Sequence, residues 1–257
     1  MIDLKSCVYS DYTSYELKEI ITKDNPIVII PVGATEQHGP HLPLNTDTDL
    51  GYQIALELAQ HCQEKVLVLP SVWAGYSPHH MDFCGTITLK QSTLFHVVSD
   101  IIESLLQHDI KRIVLMNSHG GNISLLKTVA DEMSWKHSIP ILYFTYWSLL
   151  SDYIQDIRKS PLNGMAHACE LETSLKYYFH QDEMDVRDSL IEDVILPVAS
   201  YQNIDMFAPN QINTYKNFKD ITPTGQLGAP SMATTETGEK LMKTLSKEFN
   251  NLVKVFW

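Results

Sequence analysis

Cysteine is scarce in this chain. Cys7, Cys62, Cys84 and Cys169 lie far apart with no CxxC pair, a pattern of reduced thiols in a cytoplasmic protein rather than a disulfide framework. Long apolar runs are missing as well, and none approaches the roughly 20 residues that a membrane span needs. The opening Met1-Ile2-Asp3-Leu4-Lys5 has no apolar core of a secretory signal. Basic residues are few: 19 Lys and Arg stand against 31 Asp and Glu, a net charge of -12. Nucleic acid and anionic membrane are therefore excluded as main partners, since neither is attracted to such a surface. No Gly-x-Ser-x-Gly elbow is present, which weighs against a serine hydrolase, and Cys84 and Cys169 have no activating context for a cysteine enzyme. Internal repeats and low-complexity tracts are also lacking.

What is present is an ordinary globular composition, 44% hydrophobic and 19% charged over 257 residues. Such a length buries roughly three quarters of the unfolded surface without any staple, and residues 1–257 are read as one domain. Short β-branched runs alternate with longer amphipathic ones. Strands are expected at Ile27–Val32, Val66–Leu69, Arg112–Asn117 and Ile139–Thr145, apolar enough for a parallel sheet covered on both faces. Helices are expected at Thr48–Gln60, Gln91–Gln107, Asn122–Ser134, Tyr146–Ile157, Cys169–Phe179 and Glu236–Val255. This alternation predicts an α/β fold, a three-layer α/β/α sandwich around a mostly parallel central sheet. Residues 181–232, interrupted by Pro197, Pro209, Pro223 and Pro230, read as an excursion over the core.

The chemistry concentrates after the first strand. Thr35 to Asp49 gathers two histidines and three carboxylates with no Lys or Arg, an accumulation that calls for a cation. Glu36 and His38 stand at i, i+2, so an extended segment points both to one face, and Asp47 returns after a loop shaped by Gly and Pro. His119 follows the Arg112–Asn117 strand and is itself followed by two glycines. Glu170 and Glu172 open a later helix just past His167. Each has a plainer reading: Asp47 and Asp49 as helix-start carboxylates, Glu172 as a solvated face, the glycines as a turn. In parallel sheets, however, ligands bind at the carboxyl ends of strands, and these groups converge there. Imidazole and carboxylate ligands suit zinc or manganese.

The run Gly33 to Asp47 resembles the opening signature of the creatininase (creatinine amidohydrolase) family. Asn117-Ser118-His119-Gly120-Gly121-Asn122 is similar to the family's Asn-Gly-His-Gly-Gly-Asn loop, and Gly85-Thr86-Ile87-Thr88-Leu89 to its Gly-Thr-Ile-Ser-Leu segment, with Tyr76 to His80 ahead of it. His167-Ala168 through Ser174 resembles its His-Ala-Gly, Glu-Thr-Ser element, and Gly225 to Pro230 its late Gly-Val-x-Gly-Asp-Pro turn. The resemblance runs from about Ile27 to Glu239.

The resemblance implies a binuclear metallohydrolase of C–N bonds, with two divalent ions per chain, Zn2+ and/or Mn2+ with Fe2+ as a further candidate, and a homo-oligomer, often a hexamer. Carried over by position, Glu36, Asp47 and His119 hold one ion, and His38, Asp47 and a further carboxylate the other. In creatininase that carboxylate lies two residues after the loop histidine, where this chain has Gly121; Glu172 is the substitute. Ala166 stands where creatininase carries a glutamate that serves its substrate, which argues against creatinine. Family members of this pattern include deformylases of formamidopyrimidine intermediates and a peptidase maturing a redox cofactor.

The expected enzyme is thus a metal-dependent amidohydrolase acting on an amide, cyclic amide or formamide of a small molecule through a hydroxide activated by two metals. His167 is the candidate proton shuttle and Glu172 its catalytic companion, His41 and His80 the pocket wall. Asp49 or Asn122 is expected to accept from the second nitrogen of a metal-binding histidine. Two rivals remain: a sugar or phosphate isomerase, for which the site loops lack a basic cradle, and a metal-stabilised binding protein without turnover.

Overall fold

A computed structural model describes residues 7–180, 187–208 and 210–257. The amino-terminal Met1–Lys5 stretch and Pro209 lie outside the described residues. The first helix, α1 (Ser14–Asp24), opens with Thr13 and Glu16 bonded to each other's backbone, the reciprocal capping that orders a first turn. The central sheet follows from four parallel strands, β1 (Ile27–Val32), β2 (Val66–Val68), β3 (Arg112–Asn117) and β4 (Ile141–Thr145), in the order β2-β1-β3-β4. Between them run α2 (Thr46–His61), α3 (Gln91–Gln107) and α4 (Ile123–His137).

Side-chain alternation on β1 splits the core in two. Ile27 and Ile29 join α2, while Val28, Ile30 and Val32 join α3 and α4 on the opposite face. Every residue of β1 is buried, as a strand covered on both faces requires. The first face is completed by α6 (Glu170–Phe179) and α7 (Thr235–Phe256). The three-layer α/β/α sandwich is thus the observed architecture.

The expected helix over Tyr146–Ile157 is not continuous. A 3-10 turn at Tyr146–Leu150 is followed by a single α-turn, α5 (Ile154–Ile157). Ser148 and Ser151 each donate their hydroxyl to the carbonyl three residues back, which competes with i→i+4 bonding. A two-stranded ladder, β5 (Met165–His167) with β6 (Leu227–Gly228), was outside the sequence reading. It ties the end of the excursion to the segment that carries His167.

Candidate metal centre

The site lies at the carboxyl ends of β1, β2 and β3. Glu36 and His38 follow β1, His79 and His80 lie in the long loop after β2, and His119 follows β3 directly. Asp47 stands in the first turn of α2 and Glu172 in that of α6. His119 Nδ1 approaches Asp47 Oδ2 at 3.0 Å and Glu36 Oε1 at 3.3 Å. His38 Nε2 lies 3.1 Å from Asp47 Oδ1 and 3.8 Å from Glu172 Oε1. All five side chains are buried, and Asp47 is the group common to both halves.

Local contacts aim each side chain. Ser118 donates its hydroxyl to the Asp47 carbonyl at 2.8 Å, so the end of β3 holds the turn that presents Asp47. Glu172 uses one oxygen, Oε2, to accept from the Cys169 amide at 3.3 Å, while Oε1 faces His38. Glu172 thus serves the helix start with one oxygen and turns the other towards the cluster. Gly121 lies where a β-carbon would run into Tyr76, His119 and His79. No side chain fits there, and Glu172 of α6 brings a carboxylate to the His38 side of the cluster.

The imidazole partners correct one expectation. His38 Nδ1 donates to the Glu36 carbonyl (3.2 Å) and His119 Nε2 to the Tyr76 carbonyl (3.1 Å). Asn122 instead bridges Gly33 and Tyr76, and Asp49 accepts from Lys176 and His180. Backbone carbonyls were nearer to the rings than either side chain.

Three residues round the site were not singled out from sequence. Gln37 donates from Nε2 to His80 Nδ1 at 2.6 Å and to the Gly225 carbonyl at 3.0 Å, and its Oε1 accepts from the Gly39 amide. With Nδ1 accepting, His80 carries its proton on Nε2 and donates to Glu36 Oε1 at 3.3 Å. His79 groups with Glu36 and His119 within metal-ligating reach. Phe218 packs its ring 4.0 Å from His80 and 5.0 Å from His167. His79 could have been found from the His79-His80 pair; Phe218 sits in an irregular excursion with no local signal. His167 is buried, donates from Nε2 to the Gln37 carbonyl at 2.8 Å and leaves Nδ1 facing Glu36 Oε1 at 3.7 Å. Tyr146 and Trp147 belong to the core.

Electrostatically the cluster is short of positive charge. Burial opposes the charged form of His119, yet Glu36 and Asp47 hold its pKa up at about 10. Burial also opposes His38, which Asp47 and Glu172 raise well above the ordinary value. Burial would raise the Asp47 carboxyl, but His38 and His119 hold it well below the usual range. Protons on two buried imidazoles thus only partly balance the three carboxylates. Glu36 Oε2 still has no hydrogen-bond partner, and His38, Asp47 and Glu172 present three ligand atoms within 4.8 Å of one another. This donor set fits divalent cations, which would take the place of those protons.

Comparison with known proteins settles the kinship. The creatininase (creatinine amidohydrolase) family matches over residues 10–253. The chain belongs to the creatininase family. Creatinine amidohydrolase of Pseudomonas putida is 27% identical, covering 93% of each chain. The mycofactocin precursor peptide peptidase of Mycolicibacterium smegmatis is 28% identical over 89% of this chain and 83% of that protein. Among solved structures, a creatininase mutant of Zn-Zn type superposes with a TM-score of 0.82 at 25% identity, covering 98% of this chain and 99% of the other. A creatininase of Mn type gives a TM-score of 0.80 at 25% identity, with the same coverage. Creatininase-family membership makes the chain a hydrolase of carbon–nitrogen bonds. No helix among the described residues is long and apolar enough to cross a membrane.

Proposed function

We propose that this chain hydrolyses a C–N bond of a small amide, cyclic amide or formamide at a site for two divalent ions. The observation that carries this reading is the buried meeting of Glu36, Asp47, Glu172, His38 and His119, with one carboxylate oxygen of Glu36 left unpartnered. Glu36, Asp47 and His119 would hold one ion, and His38, Glu172 and the second oxygen of Asp47 the other. Zinc and manganese are the candidate metals, in keeping with the Zn-Zn and Mn forms of related creatininases. Bound ions supply Lewis acidity for the carbonyl and bring the pKa of a water towards neutrality.

The side chains do the rest. His167, with Nε2 committed to the Gln37 carbonyl, has Nδ1 on the side of Glu36 to take a proton and hand it to the leaving nitrogen. Burial, and after it the nearby His38, hold the His167 pKa down at about 3, so the ring is neutral at pH 7. Phe218 and the rings of His79 and His80 wall this edge of the site with apolar surface, which limits water around the transferred proton. Cys169 takes no part: burial, then Glu172, push its thiol well up, and a protonated thiol is no nucleophile. Ala166 in place of a glutamate directs the reading away from creatinine.

Metal content tests it. Elemental analysis of the native protein is expected to give about two ions per chain, and Asp47→Ala to lose both metal and amide hydrolysis. Native protein that takes up no metal on reconstitution would overturn the reading.

A further inference from the structure

One imidazole at the edge of the centre has no hydrogen-bond partner in the protein. His38, His119, His80 and His167 each tie a ring nitrogen to a backbone carbonyl or to Gln37. Among the described residues nothing hydrogen-bonds to either nitrogen of His79, whose side chain is half-buried. Yet one of those nitrogens lies within 4.8 Å of ligand atoms of Glu36 and His119. These are two of the three residues placed on the first ion.

The fold holds this ring in place. His79 is the middle residue of a 3-10 turn, Pro78–His80, and the chain just before it is pinned twice. Asn122 accepts from the Tyr76 amide at 2.9 Å and Thr88 from the Ser77 amide at 2.8 Å. The Tyr76 carbonyl accepts from His119 Nε2, which ties the loop after β2 to the histidine after β3. The His79 ring lies parallel to that of His119, with 5° between planes and 5.8 Å between centroids. His80 stands 4.4 Å away and Phe218 5.6 Å. Gly121 makes the room: a β-carbon there would stand 2.9 Å from His79 Cε1.

The chemistry favours a ligand over a wall. A ring needed only to fill space would be served by phenylalanine, which has a similar shape and no nitrogens to desolvate. A free imidazole nitrogen beside a carboxylate and a second imidazole matches the donors that zinc and manganese take. Glu36 of the same group keeps a buried oxygen, Oε2, without a partner. The half-buried position of His79 leaves its other nitrogen within reach of water, an outer partner such as a ligating histidine needs.

We propose that His79 is a fourth protein ligand on the Glu36, Asp47 and His119 side of the centre, so that the two ions are held unequally. This rests on the two-ion reading above and deepens it. Three protein ligands to zinc keep a position open for chemistry, and a fourth closes it. The open position then falls to the His38, Asp47 and Glu172 side, where the His167 ring stands 4.3 Å from that of His38. Substrate is recognised on that side, and His79 makes its own side the tighter of the two.

Cadmium NMR of the full-length protein tests this, because the resonance of each bound cadmium reports its own donor atoms. Native protein loaded with cadmium is expected to give two resonances. His79→Phe, which keeps a ring, should move one and leave the other, while Glu172→Gln moves the other. Zinc competition should show one ion about a hundredfold weaker in His79→Phe, since even an outer partner of a ligand is worth roughly tenfold to a hundredfold. His79→Leu is the second variant should Phe not fold. Two resonances unmoved by His79→Phe, both moving alike, or unchanged affinity for both ions would overturn the proposal and leave His79 as packing alone. A single native resonance that answers to His79→Phe but not to Glu172→Gln would sink the two-ion reading and leave the ligand standing. No resonance at all would sink both.

Discussion

For a single imidazole, the partner of its second nitrogen decides whether it serves as a ligand or as a support. His38 and His119 give one N–H to a backbone carbonyl and turn the other nitrogen to carboxylates. His80 is the reverse: Gln37 occupies its Nδ1, so it supports Glu36 through Nε2–H. In the metal-free protein His38 and His119 hold protons near neutrality, their pKa values raised by the carboxylates against burial. Zinc added to metal-free protein at pH 7 should therefore release protons, up to about two per chain, because ligating imidazoles must be neutral. Calorimetry in buffers of different ionisation enthalpy reads this number, and a release of none would contradict the ligand set.

The same residues give the metal-free protein a stability optimum. His41 has its pKa lowered from 6.5 to about 4, so the folded state binds its proton more weakly than the unfolded one. Its contribution is full above pH 6.5 and is lost as pH falls through 4. His119 is raised from 6.5 to about 10; its contribution is full below pH 6.5 and is lost as pH rises through 10. Denaturant unfolding of metal-free protein across this range should show stability declining on both sides.

At the scale of elements, the site depends on how α2 and α6 are locked together. Lys176 of α6 is fully buried and reaches Asp49 Oδ2 at 2.7 Å, where His180 Nε2 also bonds at 2.7 Å. Asp49 lies two residues after Asp47, so this contact joins the turn bearing Asp47 to the helix bearing Glu172. Removing one member of a buried ion pair strands the other. Lys176→Met should lower stability by about 3 kcal/mol in urea titration, and metal affinity should fall with it. A variant as stable as the native protein would show that His180 alone suffices. Asp49 and Lys176 lie 127 positions apart in the chain. Lys176 reads as one more polar residue on a helix, and nothing local marks it as buried.

At the scale of the whole molecule, the sandwich supports a centre that the unfolded chain cannot assemble. The candidate ligands span residues 36 to 172, so under the proposed function ions would bind the native state and stabilise it by mass action. Chelator should lower the melting temperature by on the order of 5–10 °C, with recovery on zinc or manganese addition; an unchanged melting curve would mean that no ion is held.

The sequence by itself determined the elements with strong periodicity and the residues of the first site loop. Ile27–Val32, Gln91–Gln107 and Arg112–Asn117 coincide with the strands and helix observed, because a buried parallel strand must be apolar throughout and a half-buried helix must alternate at its own period. Carboxylate and imidazole crowding after β1 was equally local, and so legible. The Thr13–Glu16 capping pair of α1 is a local signal of the same kind. Only the tertiary structure decided that Glu172 rather than position 121 faces His38, that Gln37 sets the proton on His80, and that Phe218 and Gly225 return from the excursion to the site. Those outcomes depend on distances between segments far apart in the chain, which are fixed by packing the two helical layers on the sheet and not by any local pattern.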